Sequence, residues 1–315
     1  MRFLNWSKKQ LLRLAQKPGK SKWGTFIIAF GVFIFLGLSL RHDWNAIRTF
    51  HWRLQWGYLL IQAILHTLAL GTMFLAWHYM MRRLLNKGQW STNFRIFNVS
   101  MLARRIPIPI WYIGSRVYLY REQQTSMTIV LAATALETSL VAVSGVICYI
   151  MLLPWYSYTQ HWVWWIAIAL TGFFFLALLA RPGLLIELTN LALRLLKRPS
   201  IPVTITRRDL FFWGSLYLAT WFLDGLGMYY TVAAFMASPP SVTDVIGVST
   251  ISAMVALVTM ALPTLLLKEI TTGALLSIWM PVSVGLVTAI MYRLLQTVEE
   301  TLWALLSQYI SKNPP

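Results

Sequence analysis

Six long apolar runs constrain the fold of this chain more than any other feature of its sequence. They cover residues 23–40, 54–81, 125–153, 162–180, 210–236 and 244–267. Each run has 18 or more residues, enough for a helix to cross about 30 Å of hydrocarbon. Only 12% of the 315 residues are charged, about half the share in a typical soluble domain. The sequence therefore predicts an all-α, polytopic helical membrane bundle of about seven or eight transmembrane helices.

The distribution of basic residues indicates how such a bundle is oriented. With a cytoplasmic amino terminus, the inner segments 1–22, 82–95 and 181–209 hold 17 Lys or Arg residues. The outer loops 41–53, 154–161 and 237–243 hold 3. This asymmetry satisfies the positive-inside rule. It accounts for much of the net charge of +17 without nucleic acid and makes anionic inner-leaflet lipid the expected partner. A bacterial cytoplasmic membrane is the predicted location.

The chain divides into a basic cytoplasmic tail at 1–22 and a single transmembrane domain at 23–312. Residues 23–40 are interpreted as a retained first helix, because the stretch is longer than the core of a signal peptide. Residues 183–198 have charged and apolar side chains on opposite faces, which predicts an amphipathic helix at the inner interface.

Two segments interrupt the pattern of clean spans. Pro107 and Pro109 follow Arg104-Arg105 in the first, and Pro263 precedes Lys268-Glu269 in the second. Proline removes an amide donor and disfavours helical geometry in the residue before it. Freed backbone groups at membrane depth must be surrounded by protein or water. We therefore expect residues 104–111 and 263–269 to be non-helical, buried and close together, as in re-entrant segments around a central site.

Charged residues at membrane depth are the candidate site residues. Three carboxylates lie within apolar runs, and five cations lie at comparable positions, whereas Glu299 and Glu300 are placed near an interface. The carboxylates are Glu137, Asp224 and Glu269, and the cations are Arg104, Arg105, Arg116, Lys268 and Arg293. Buried charge requires a partner. Glu137 is therefore expected to pair with one of the three arginines at 104, 105 and 116, and Glu269 with Lys268 or Arg293.

The excess of cations over carboxylates indicates an anion site. Arginine can hold a phosphate bidentately, and a helix amino terminus supplies amide donors. Arg116 follows the first proline break and is the test residue for such a site. The competing interpretation makes it a snorkelling arginine near the cytoplasmic edge.

These motifs resemble the flippase-like proteins related to the transmembrane region of lysylphosphatidylglycerol synthase. The first resemblance runs from Arg104-Arg105-Ile106-Pro107 to Gly114-Ser115-Arg116, with Glu137 following in LAATALETSLVAVSG. The second runs from Leu262-Pro263 through Lys268-Glu269 to Gly273-Ala274-Leu275, with Tyr292-Arg293-Leu294 after it. The chain departs from the family at Thr264-Leu265-Leu266-Leu267, where glycines are usual, and at Lys268, where arginine is usual.

The resemblance implies a flippase or transporter of a phospholipid or a prenyl-phosphate-linked lipid, with the anionic headgroup bound in a central cavity. The substrate-binding residues would be Arg104, Arg105, Pro107, Arg116, Glu137, Asp224, Lys268, Glu269 and Arg293. No cofactor or metal is expected, since the chain has one cysteine and His66 and His78 lie about 120° apart around a helix.

Two other functions stay open. One is a non-transporting membrane partner of a lipid synthase or glycosyltransferase. The other is an intramembrane lipid transferase, although the sequence offers no clustered carboxylates for it. The absence of a Walker-type loop argues against an internal ATPase.

Overall fold

A computed structural model describes residues 44–50, 52–85, 89–105, 110–152, 205–258 and 267–312, together with residues 187, 190 and 191. Every regular element in these ranges is an α-helix, which confirms the all-α class there. The helices are α1 (Trp44–Thr49), α2 (Trp56–Leu85), α3 (Trp90–Ala103), α4 (Ile110–Glu122), α5 (Met127–Leu152), α6 (Arg207–Phe235), α7 (Val242–Val258), α8 (Leu267–Leu276) and α9 (Val282–Lys312). Among them, α2 and α5 are long and apolar enough to cross a membrane.

Several sequence-based predictions fall on other residues. The basic tail at 1–22, the first apolar run, the run at 162–180 and Pro107 lie outside the described residues. Of the predicted amphipathic helix at 183–198, the structure describes Glu187, Asn190 and Leu191, and each is helical.

Antiparallel packing of α2 against α6 defines the two ends of the bundle. At one end, the backbone N–H groups of Arg53 and Gln55 donate to the carbonyls of Phe235 (3.2 Å) and Ala234 (3.1 Å). At the other end, Arg83 pairs with Asp209 at 3.3 Å. Asp209 also completes the capping box that starts α6. We call the end with Arg53, Gln55, Ala234 and Phe235 the distal end. The end with Arg83 and Asp209 is the basal end.

Helices α3 and α4 form a short hairpin that rises from the basal end. α3 starts just after α2 ends, and α4 ends just before α5 starts. With 14 and 13 residues, the two arms are each about 20 Å long, less than half the length of α2. Neither arm therefore matches α2 in length, and Arg104 and Arg105 follow the end of α3.

Helices α7 and α8 form a second hairpin that enters from the distal end. α7 follows the end of α6, and α8 packs against α7 before the chain enters α9. These arms contain 17 and 10 residues. Within the apolar run at 244–267, the structure describes α7 up to Val258 and the first residue of α8, Leu267.

The long helix α9 joins the two hairpins. Its first turns pack against α8, where Gly285 faces Gly273, and its later part packs against α3, where the Phe94 and Trp303 ring centroids are 6.0 Å apart. With 31 residues and no break, α9 passes the tips of both hairpins.

The breaks are shorter than the sequence predicts. Ile110 and Trp111 already belong to α4, and Lys268 and Glu269 belong to α8. Trp111 is also exposed rather than buried. The physical reason is that proline disrupts the helix that precedes it but is compatible with the first turn of the next one.

The glycine contact between α8 and α9 yields a first testable prediction. A Cβ on Gly285 would lie 2.8 Å from the carbonyl oxygen of Gly273, which belongs to the backbone and cannot rotate away. We expect Gly285→Ala to lower the free energy of unfolding by about 1 to 3 kcal/mol. Gly71→Ala is the control, because no atom lies within 4 Å of its new Cβ. Thermal unfolding of the purified variants measures both, and equal melting temperatures would contradict the close contact.

Candidate functional site

Buried charge is concentrated in two separate clusters. One lies at the first hairpin and is centred on Arg116 and Glu137. The other surrounds the middle of α9 and includes Arg105, Asp224 and Lys268. The Arg116 guanidinium of the first cluster is fully enclosed, whereas the cations of the second cluster are partly exposed.

Arg116 is completely enclosed. Its Nη1 and Nη2 both donate to Glu137, and its Nε donates to Ser100 Oγ at 3.0 Å. The guanidinium carbon lies 3.8 Å from the ring centroid of Trp77 and 4.3 Å from that of Tyr112, so aromatic rings cover it. Its exposed fraction is 0%.

This geometry confirms one prediction about Arg116 and overturns two others. Glu137 does pair with an arginine of the first hairpin. Arg116 is not available to a phosphate, because its donors are directed to Glu137 and Ser100 and it has no exposed surface. It is not a snorkelling arginine either, since snorkelling requires a head group in water. Arg116 and Glu137 therefore leave the candidate binding site.

Further buried hydrogen bonds fasten the first hairpin to α2. Trp77 Nε1 donates to the Tyr120 hydroxyl at 2.9 Å, and that hydroxyl donates to Asn93 Oδ1 at 2.8 Å. The Asn93 amide nitrogen lies 3.0 Å from His78 Nδ1. This chain of contacts links both arms of the hairpin to one helix, so the first cluster holds the hairpin in place.

In the second cluster, the tip of the first hairpin reaches α9. Arg105 Nε donates to Glu300 Oε2 at 2.6 Å, and its Nη2 donates to Glu300 Oε1 at 2.7 Å. The same Nη2 lies 3.3 Å from Gln296 Oε1. This is the bidentate geometry that arginine also uses for phosphate.

Lys268 and Glu269 bring the second hairpin to the same region. Lys268 Nζ lies 3.8 Å from Asp224 Oδ2, and Arg293 Nη1 lies 3.0 Å from Glu269 Oε1. The latter contact confirms the predicted pairing of Glu269. Asp224 Oδ1 accepts further hydrogen bonds at 2.8 Å from the Tyr292 hydroxyl and Gln296 Nε2. α9 thus contributes to ion pairs with both hairpins.

Exposure differs between the cations and two of their carboxylate partners. The side chains of Arg105, Lys268 and Arg293 are 18%, 28% and 25% exposed, whereas those of Glu300 and Glu269 are 2% and 6% exposed. In these ion pairs the cation is therefore the more exposed partner. Arg104 is exposed beside Arg105, and no ion pair of Arg104 occurs within the part of the chain that the structure describes.

The structure brings most of the predicted site residues together and adds several. Arg105, Asp224, Lys268, Glu269 and Arg293 gather around α9. Sequence reasoning missed His66, Tyr292, Gln296 and Glu300. Glu300, which the sequence analysis placed near an interface, is buried and paired with Arg105. The sequence did contain a signal for them. Tyr292, Gln296 and Glu300 are four residues apart, and Arg293 is three before Gln296, which places them on one side of a helix.

The donor set does not suggest a metal site. Among the described residues, no group of three or more His, Cys, Asp or Glu side chains is arranged to hold a metal ion. Comparison of the chain with models of protein families, with curated proteins and with solved structures finds no match.

Proposed function

We propose that the chain is a polytopic membrane protein that translocates an anionic lipid. In this proposal the phosphate of a phospholipid or a prenyl-phosphate-linked lipid binds to the cations at the hairpin tips while its chains stay in the bilayer. Arg104, Arg105, Lys268 and Arg293 are the binding residues. The likeness to flippase-like proteins related to the lysylphosphatidylglycerol synthase transmembrane region supports this proposal from the sequence.

Exposed apolar surface supports the membrane location. Leu294, Val298, Leu302 and Leu305 are each more than half exposed and follow one face of α9 at helical spacing. An apolar stripe of this length in contact with water would be a site of aggregation, but it is ordinary for a surface that faces lipid. α2 presents a similar row at Leu60, Ile64 and Leu68.

The ends of the described helices support the orientation. The basal end carries a group of basic residues, namely Arg82, Arg83, Arg121, Arg207 and Arg208. We therefore place the basal end in the cytoplasm of a bacterial cell, in accordance with the positive-inside rule. In that orientation the first hairpin enters from the cytoplasmic side and the second from the outside.

The arrangement of the two hairpins is the observation that carries the proposal. Their tips bring partly exposed cations from opposite ends of the bundle to one helix. A phosphate in this region would meet charge from both hairpins, so a movement of either hairpin would expose it to one side. Opposed half-length hairpins around a central site are typical of transporters.

Headgroup accessibility in reconstituted vesicles tests the proposal. The full chain is placed in phosphatidylcholine vesicles with trace amounts of fluorescent phosphatidylglycerol, phosphatidylethanolamine or a prenyl phosphate, and a membrane-impermeant quencher reports the lipid that reaches the outer leaflet. We expect the protein to accelerate exchange of at least one anionic lipid. No acceleration for any anionic or zwitterionic lipid would contradict transport and favour a partner of a synthase.

Lys268→Gln is the variant for this assay. It removes a partly exposed cation that we assign to the phosphate, so we expect translocation to fall about tenfold or more, the scale of one lost charge-assisted contact. Arg121→Gln is the matched control, because Arg121 is an exposed cation at the basal end of α4. Translocation by Lys268→Gln at the wild-type rate would remove Lys268 from the site.

A further inference from the structure

His66 occupies the space between the two ion pairs that hold the hairpin tips. It lies on α2 and is buried, with a relative exposure of 4%. Its Nδ1 is 3.6 Å from Asp224 Oδ1, and its Nε2 is 3.8 Å from Glu300 Oε1. Both distances are longer than a hydrogen bond, so the ring stands beside two carboxylates without bonding to either.

The same two carboxylates hold the cations that we assign to the anion site. Asp224 pairs with Lys268 of the second hairpin, and Glu300 pairs with Arg105 of the first. His66 is therefore placed to compete with Lys268 for one carboxylate and with Arg105 for the other.

The surroundings of His66 are rich in acceptors. Its nearest polar groups are Asp224 from α6 and Gln296 and Glu300 from α9, with Glu299 from α9 and Gln62 from α2 close by. These groups in turn contact Tyr292 from α9, Lys268 from α8 and Arg105 from the end of α3. The amide nitrogen of Gln296 lies 3.3 Å from His66 Nδ1. A positive charge on the imidazole would be attracted by three carboxylates, those of Asp224, Glu299 and Glu300.

Three of these groups have unused hydrogen-bonding capacity. Gln62 is fully buried beside Glu299, yet neither of its amide atoms makes a hydrogen bond of ordinary geometry within the described residues. The same holds for His66 Nε2 and Glu299 Oε2. Buried polar groups are normally hydrogen-bonded, so the acceptors Gln62 Oε1 and Glu299 Oε2 are available to a new donor.

We propose that His66 is a proton-binding site that controls the anion site. When the ring takes a proton from water, its positive charge attracts Asp224 and Glu300 and weakens their hold on Lys268 and Arg105. These two cations then become available to a phosphate, and deprotonation returns them to the carboxylates. The inference rests on the proposed function and extends it to proton-coupled binding.

Thermodynamic linkage sets the direction of the effect. If a protonated His66 favours the anion-binding form, then a bound anion must favour protonation of His66 by the same factor. Histidine is the side chain that ordinarily changes charge between about pH 5 and 8. Anion affinity should therefore rise as the pH falls through this range, and anion binding should take up protons.

The experiment measures anion binding and proton uptake together on the full chain in lipid nanodiscs. Glycerophosphoglycerol is the probe, since it is a soluble phosphodiester headgroup whose own charge does not change in this pH range. We expect affinity to be about tenfold higher at about pH 5.5 than at about pH 8, with proton uptake from a weakly buffered solution on binding. In His66→Asn, the affinity ratio should fall below about twofold and the uptake should disappear.

A second histidine on the same helix provides the matched control. His78 is also buried on α2, but it bonds to Asn93 and no ion pair of His78 with a carboxylate occurs within the described ranges. His78→Asn should keep the pH dependence of binding. If His66→Asn does not fold, then His66→Gln and histidine resonances of the isotope-labelled wild type replace it, and the probe should increase the protonated fraction of His66.

The outcomes separate the two proposals. Wild-type pH dependence and proton uptake in a folded His66→Asn or His66→Gln, or no response of the His66 resonance to the probe, would overturn the role of His66 while leaving transport intact. Failure of the wild type to bind the probe would also overturn it. Proton-linked probe binding without lipid movement in vesicles would support the proton site and contradict transport.

Discussion

Arg116→Gln is expected to lower the free energy of unfolding by about 3 to 5 kcal/mol, because it leaves the Glu137 carboxylate buried without a counter-charge. The guanidinium is fully enclosed and supplies donors to Glu137 and Ser100, and it lies between the rings of Trp77 and Tyr112. Thermal and denaturant unfolding of the protein in detergent measures the loss.

A double variant separates the ion pair from simple damage to the core. Removing both charges with Arg116→Met and Glu137→Leu should destabilise the protein less than Arg116→Gln alone, since no unpaired charge remains. Arg121→Gln, five residues further along α4 and exposed, should leave stability unchanged. The losses of stability in Arg116→Met and in Glu137→Leu, each measured alone, are compared with the loss in the double variant. If the two single losses add up to the double loss, the pair does not contribute as a unit.

Arg105→Gln and Glu300→Gln are expected to change anion binding in opposite directions. The carboxylate of Glu300 occupies the guanidinium fork that a phosphate would use. Glu300→Gln removes the competing negative charge and should tighten binding of glycerophosphoglycerol about tenfold or more. Arg105→Gln removes the fork and should weaken binding by a similar or larger factor, the scale of a charge-assisted hydrogen bond.

Titration calorimetry at constant pH distinguishes this competition from a purely structural pair. If the pair served only to hold the hairpin against α9, both variants would weaken binding together. Unfolding measurements on the same samples control for loss of fold, because Arg105→Gln leaves Glu300 buried and unpaired. Glu122→Gln, an exposed carboxylate at the end of α4, should leave the affinity unchanged.

The sequence predicted the end of α3 correctly, but it placed the starts of α4 and α8 too late. α3 ends at Ala103, shortly before Pro107 and Pro109, as expected because proline disfavours a preceding helical residue. Pro263 lies outside the described residues. The same chemistry does not say where the next helix starts. Ile110 and Leu267 are the first described residues of α4 and α8, and both lie within the segments that the motifs predicted to be non-helical.

The sequence could predict that the buried carboxylates have cationic partners, but it could not predict which cation each one pairs with. The cost of an isolated charge at depth predicted partners for Glu137 and Glu269, and the structure provides them. That same rule could not show which arginine would be enclosed. Arg116 is covered by Trp77, which is distant in the sequence, and no local pattern reports such a contact.

The residues of α9 were missed for a different reason. Long apolar runs end at residue 267, and α9 carries Arg293, Glu299 and Glu300, so it does not resemble a span. A helix that faces lipid on one side and a polar centre on the other has both kinds of residue. Its one-sided spacing of Tyr292, Gln296 and Glu300, rather than its average character, was the informative signal.

During synthesis of the chain, the Arg116–Glu137 pair can form much earlier than the Arg105–Glu300 pair. Arg116 and Glu137 are 21 positions apart, so both are present soon after the first hairpin is synthesised. Arg105 and Glu300 are 195 positions apart, and at about 5 to 20 residues per second the arginine waits roughly 10 to 40 seconds for its carboxylate. During that interval its charge must be hydrated or held by lipid headgroups or the insertion machinery. A nascent chain that stops before α9 keeps this cation exposed, which distinguishes an unfinished protein from a finished one.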